Sequence, residues 1–317
     1  RMDGEKDTIK TNGRDLTITG AQLDLKNINT SSQDGDGGDI NLKARHDITT
    51  QDLNSRSNAG NGGNGGDIKL NAGGDITTKY LSSWSGAGNG GDIELNAGGD
   101  ITTPLATGGG KNVSFSGTNV TITNEAQQTQ KTQDGNANVQ LSATNNITVE
   151  DIEDDLLQFM GGSGKIEFSA DTDNDGAGIV RMDGEKDTIK TNGRDLTIIG
   201  AKLDLGNINT SSSDGNGGDI NLKAGGDITT QYLDSSSDSS SGNSRNGGDI
   251  NLEAGGNIKT RYLDSGSYSR SDNLGNGGDI KLNADGDITT EYLYSGSYSS
   301  SGTVSYTHLT LPTKVTV

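Results

Sequence analysis

Three stretches of this chain are nearly the same sentence. Gly65 to Leu81 reads GGDIKLNAGGDITTKYL, Gly217 to Leu233 reads GGDINLKAGGDITTQYL, and Gly277 to Leu293 reads GGDIKLNADGDITTEYL. A chain that repeats one short phrase between Ser-, Gly- and Asn-rich spacers builds one supersecondary unit many times and stacks the copies. A longer period is superposed on this one. Arg1 to Thr30 and Arg181 to Thr210 differ only at Thr19/Ile199, Gln22/Lys202 and Lys26/Gly206, a near-identity that implies duplication of a whole block. Because the opening words return in mid-chain, residue 1 is expected to be a cut through a longer protein.

Without its order, the composition argues against folding: 27% hydrophobic, 4% aromatic, 50 Gly and a net charge of -19 over 317 residues. Order reverses that reading, since the few large apolar residues recur at fixed places and a stack buries them in continuous rows that no single unit could bury alone. The first apolar residues of the units are Leu16, Ile40, Ile68, Ile93, Val113, Val139, Ile166, Leu196, Ile220, Ile250 and Ile280. Their spacing of roughly 20 to 30 residues is too long for a nine-residue Ca²⁺-binding roll and suits a coil of two or three short strands.

Within a coil the alternation has period two, as in a strand with one buried face: Ile68, Leu70 and Ala72 point one way, Lys69 and Asn71 the other. The expected fold is an all-β parallel β-helix of about eleven coils over residues 1–303. It has an inward Ile/Val row, a second row of Leu42, Leu70, Leu95, Phe115, Leu141, Phe168, Leu222, Leu252 and Leu282, and a third row of mostly Ala. Gly-Gly-Asp marks the bends, with Asp capping turns, and the Ser-rich spacers read as surface loops. Between Glu150 and Met160 the pattern lapses into EDIEDDLLQFM, either a short helical turn or an irregular side of the coil.

Repeats of the form GNGGDIxLxAGGDITT, at Asn64 to Thr78 and Asn216 to Thr230, resemble the passenger repeats of filamentous-haemagglutinin-like exoproteins of the two-partner secretion type. The resemblance covers roughly Asp15 to Leu293. It implies a right-handed β-helix at the cell surface or outside the cell of a Gram-negative bacterium. It also implies export through an outer-membrane partner and adhesion to a host, neighbouring-cell or matrix surface. The family's N-terminal secretion domain is not among these residues. Val304 to Thr313, VSYTHLTLPT, breaks the language of the repeats and looks like a translated transposon-end sequencing adapter, so 304–317 reads as a non-native tail. The rival reading is an edge strand.

The acidic balance, with Lys and Arg interspersed, argues against nucleic acid, and no apolar run is long enough to span a membrane. Asp171, Asp173 and Asp175 in DTDNDG supply hard oxygen ligands in the manner of a Ca²⁺ loop, but the twelfth position, where an EF-hand needs Glu, is Met182. Ca²⁺ is thus a candidate cofactor of an incomplete loop. Tyr232, Tyr262 and Tyr292 share one repeat position in consecutive coils and should form an outward ladder, suited to sugar or protein recognition. The plainer reading, that stacked Tyr stabilise neighbouring strands, outweighs it. Thr-Thr pairs could suggest an ice-binding face, but only one Thr of each pair points outward and Lys259 interrupts the row. Outward residues such as Asn41, Lys69, Glu94, Gln140 and Glu167 form no acid, base and nucleophile set, and His46 reads as a surface variant, so no enzyme is expected. The leading expectation is a structural and adhesive repeat segment. The alternatives are a β-helical carbohydrate-active enzyme fragment and a weak Ca²⁺-binding extracellular module.

Overall fold

Alternating apolar and polar residues turn successive side chains to opposite faces of an extended strand, and the apolar face needs neighbours to cover it. In a computed structural model describing residues 7–105, 112–123, 136–152, 155–159, 161–239, 245–269 and 275–299 and the backbone of 304–306, the chain is an all-β parallel solenoid. No helix occurs among the described residues. Each coil has three sides. On the first, eleven strands from Leu16–Gly20 to Ile280–Ala284 pair in chain order, and on the second, eleven from Leu23–Asp24 to Ile288–Thr289 do the same. The third side forms a run of four strands, Thr8–Lys10 to Tyr80–Ser82, and a run of six, Leu156–Gln158 to Tyr292–Tyr294. Thr8–Lys10 precedes the first coil and the fourth and fifth coils have no described third-side strand, so nine coils carry all three sides.

The register is the one the repeats set. Ile40 pairs with Ile68, Leu42 with Leu70 and Ala44 with Ala72, and the second row continues through Leu95, Phe115, Leu141 and Phe168. Ile18 and Ile198 belong to that row as well. On the second side the inner Thr is buried in every pair but the last, Thr289-Thr290, and the outer one is not: Thr78 is enclosed and bonds Thr103 through their hydroxyls at 3.0 Å, while Thr77 is exposed. A one-residue slip would turn every one of these rows inside out.

The corner phrase GNGGDI is spelled by contacts between coils. Asn64 Oδ1 accepts the Asn89 N–H at 3.0 Å, and Asp67 Oδ1 accepts the Asp92 N–H at 2.9 Å. Between them, a Cβ added at Gly66 would stand 2.4 Å from the Gly38 carbonyl oxygen, so only glycine allows the coils to approach there. The Asp column extends from Asp15 through Asp39 to Asp67 and, later, from Asp195 through Asp219 and Asp249 to Asp279. A third column, through Asp47, Asp75 and Asp100, caps the bend between the first and second sides. The expectation that Asp caps a turn holds, with the capped N–H belonging to the next coil.

The spacers depart from the expectation of surface loops. Ser55, Ser83, Ser235 and Ser265 are fully buried, and their hydroxyls donate to the carbonyls of Gly66, Gly91, Gly248 and Gly278 at 2.6 to 2.8 Å. Each such bond fastens the end of the third side to the corner that opens the next coil. Ser237–Ser239, Ser267–Ser269 and Gly296–Ser299 then form a further short parallel sheet. Ser is small enough to pack at a bend and carries the donor that the corner carbonyl needs. Leu156–Gln158 is a third-side strand paired with Thr188–Lys190, where the sequence left a helical turn open; 153, 154 and 160 lie outside the described residues. Val304–Tyr306 lies antiparallel against Gly296–Tyr298, and 307–317, with His308, falls outside the described residues.

Candidate functional site

In the words QYL, RYL and EYL, the Leu points into the core, as Leu233 and Leu263 do, so the preceding Tyr points out. Tyr232, Tyr262 and Tyr292 pair in register on the third side and are brought together as one ladder. The ring centroids of Tyr232 and Tyr262 are 5.8 Å apart with a 40° tilt; those of Tyr262 and Tyr292 are 4.5 Å apart and only 7° from parallel. Tyr232 and Tyr292 are 42% and 46% exposed. Because Tyr262 and Tyr292 turn their faces to each other along the rod, a ligand on this side meets ring edges and hydroxyls more than ring faces. The Arg261 guanidinium lies 5.6 Å from the Tyr232 ring centroid, in cation–π range, and pairs with Glu291 at 3.4 Å.

Beside the ladder is a group that sequence reasoning missed. Asp264 is buried, and its carboxylate accepts the Tyr268 hydroxyl at 2.7 Å, the Tyr262 hydroxyl at 3.4 Å and the Gly266 N–H at 2.8 Å. Burial pushes the Asp264 carboxyl above its ordinary range, against the lowering effect of these bonds. Burial first, then the Asp264 carboxylate, pushes Tyr262 up to about 12, and the same causes raise Tyr268. Tyr268 stacks on Tyr294 at 5.8 Å, and Tyr298, 52% exposed, continues its row. The signal was present in YLDSGSYS, where two Tyr flank one Asp at spacings of two and four. Tyr80 holds the equivalent place in the first block but pairs with Asp52, so no ladder forms there.

Asp171, Asp173 and Asp175 are brought together, with one carboxylate oxygen from each lying within 4.8 Å of the others. Asp171 Oδ1 accepts the Gly176 N–H at 3.0 Å and Asp175 Oδ1 the Ala177 N–H at 2.9 Å, so two of the three already cap their own loop. Asp171 and Asn174 sit at φ of 57° and 58°, a conformation that Asp and Asn tolerate in turns. Met182 is buried in the second-side core, consistent with its failure as an EF-hand ligand.

A second acidic group, Asp151, Asp155 and Asp187, also converges within 4.8 Å. Its parts are distant in sequence. Asp187 is fully buried, accepts the Ile152 N–H at 3.2 Å, and is pushed up to about 6, first by burial and then by Asp151 and Asp155.

Comparison with protein-family models, with curated proteins and with solved structures finds no match. The likeness to filamentous-haemagglutinin repeats therefore rests on the repeat words and on a solenoid fold that suits them.

Proposed function

We propose that the chain is a structural and adhesive repeat segment of an extracellular, filamentous-haemagglutinin-like exoprotein, and not an enzyme. In this role it is a rod that holds contact surfaces away from the cell that exports it. The observation that carries this reading is the unbroken run of eleven strands in each of two sheets, which gives a spacer about 50 Å long from coils rising ~4.8 Å each. The Tyr232, Tyr262 and Tyr292 ladder with its Ser-rich flank is the surface we assign to contact with a glycan or protein on a host, neighbouring cell or matrix. Export through an outer-membrane partner comes from the repeat resemblance.

The test is a glycan-array and cell-adhesion assay on the chain and on its triple Tyr→Ser variant, with strand content checked by circular dichroism. Loss of binding with the fold retained is the expected result. A folded triple variant that binds as well as its parent would remove the ladder from the reading. A second reading, a weak Ca²⁺-binding module, is favoured by the convergence of Asp171, Asp173 and Asp175. It ranks lower because capping bonds already occupy two of these carboxylates.

A further inference from the structure

Equivalent residues on adjacent parallel strands lie one rung apart, so a tyrosine repeated at one register position sets ring beside ring at about 4.8 Å. Tyr262 and Tyr292 are such a pair, with centroids 4.5 Å apart and rings 7° from parallel. The ring edges that carry the carbons ortho to the hydroxyls are thereby held about one rung apart. Two other described pairs are looser. Tyr232 and Tyr262 are 5.8 Å apart and tilted by 40°, with Arg261 against the Tyr232 ring, and Tyr268 and Tyr294 are 5.8 Å apart.

The surroundings suit radical chemistry. Tyr292 is 46% exposed, so a soluble oxidant reaches it and its ring has room to turn about χ1 and χ2. Burial, and then Asp264, push Tyr262 up to about 12, so at neutral pH it is a phenol that must lose a proton together with its electron. Asp264 Oδ2, 3.4 Å from the Tyr262 hydroxyl, is placed to take that proton.

We propose that Tyr262 and Tyr292 are a site of oxidative cross-linking, at which a haem peroxidase using hydrogen peroxide joins two consecutive coils through dityrosine. Each phenol gives up one electron and its hydroxyl proton, and the two phenoxyl radicals form one carbon–carbon bond between ortho positions. The two ortho hydrogens then move to the oxygens and restore both phenols. Hydrogen peroxide takes up the two electrons and two protons and leaves as two water molecules. The bond closes the loop from Tyr262 to Tyr292 and restrains the unfolded chain, so it stabilises the stack. The inference does not depend on any adhesive role.

The experiment treats the dilute chain with a haem peroxidase and hydrogen peroxide, then isolates the monomer. It should emit dityrosine fluorescence, have lost two hydrogens by mass, and melt several degrees above the untreated chain. Trypsin cuts after Arg261, Arg270 and Lys281, so Tyr262 and Tyr292 fall on separate peptides, which should be recovered joined through these two residues. Tyr292→Phe keeps the ring and removes the phenol. It should retain the strand signal in circular dichroism and lose most of the fluorescence, whereas Tyr232→Phe should keep it. The proposal is overturned if dityrosine is absent, is confined to dimers, or joins other tyrosines. An undiminished yield in Tyr292→Phe, or a cross-linked monomer with an unchanged melting midpoint, would overturn it as well.

Discussion

At the scale of single residues, the fold depends on carboxylates placed where like charges stack. Asp219, Asp249 and Asp279 follow one another up the rod, each accepting the N–H of the next, so the hydrogen bonds must outweigh mutual repulsion. Asp249→Asn keeps the acceptor and drops the charge, and should leave stability unchanged or raise it. Asp249→Ala strands the Asp279 N–H and should cost about 1 kcal/mol, as loss of a helix cap does. Denaturant midpoints of the two variants check this ordering. Burial also raises Asp187, to about 6, and shifts Asp219 and Asp264 in the same direction. Such carboxyls keep their protons to higher pH in the folded chain than in the unfolded one, so stability rises as pH falls from about 6 toward the ordinary carboxylate range and is lost as pH rises through it. Melting at about pH 5 should therefore occur at higher temperature than at about pH 8, and Asp187→Asn should shrink the difference. A flat profile would contradict the burial of these groups. At the DTDNDG loop, the capping bonds account for Asp171 and Asp175 without an ion. Calorimetry with Ca²⁺ should show no heat that disappears in Asp173→Ala, and such a heat would promote the metal reading.

At the scale of elements, the first two sides were legible because large aliphatics alternate there with polar residues, and the pattern admits one register. The third side was half legible. Its Leu and Ile rows stand out, but its return to the next coil is built from Ser and Gly, which composition assigns to loops. Ser235 looks solvent-exposed by type and is fully buried by position. Arg194 was illegible for the converse reason: it is buried, with its Nε donating to the Gly164 carbonyl at 2.8 Å, and nothing local marks an arginine aimed down into the stack. The Tyr ladder was legible from spacing, whereas the stacked ring faces and the buried Asp264 depend on rotamers that spacing does not fix. Two substitutions test the element-level account. Leu252→Asp places a carboxylate in an aliphatic row and should cost several kcal/mol, seen as lost strand signal or a much lower melting midpoint. Gly248→Ala puts a Cβ 2.3 Å from the Gly218 carbonyl oxygen and should cost about 1–3 kcal/mol through forced separation of two coils.

At the scale of the whole molecule, the 180-residue repeat is a translation by seven coils, from Leu16 to Leu196 along one sheet. Lys43 and Lys223 occupy the same register position seven rungs apart, and Asn283 follows Lys223 by two more. All three face solvent, and the chain has no cysteine, so labels go only where they are placed. Pulsed electron spin resonance on the Lys43→Cys/Lys223→Cys and Lys43→Cys/Asn283→Cys pairs measures the rod directly. A continuous in-register solenoid predicts narrow distance distributions centred near ~34 Å and ~43 Å, in the ratio of seven rungs to nine. Broad distributions, or a second distance no longer than the first, would contradict a single unbroken stack.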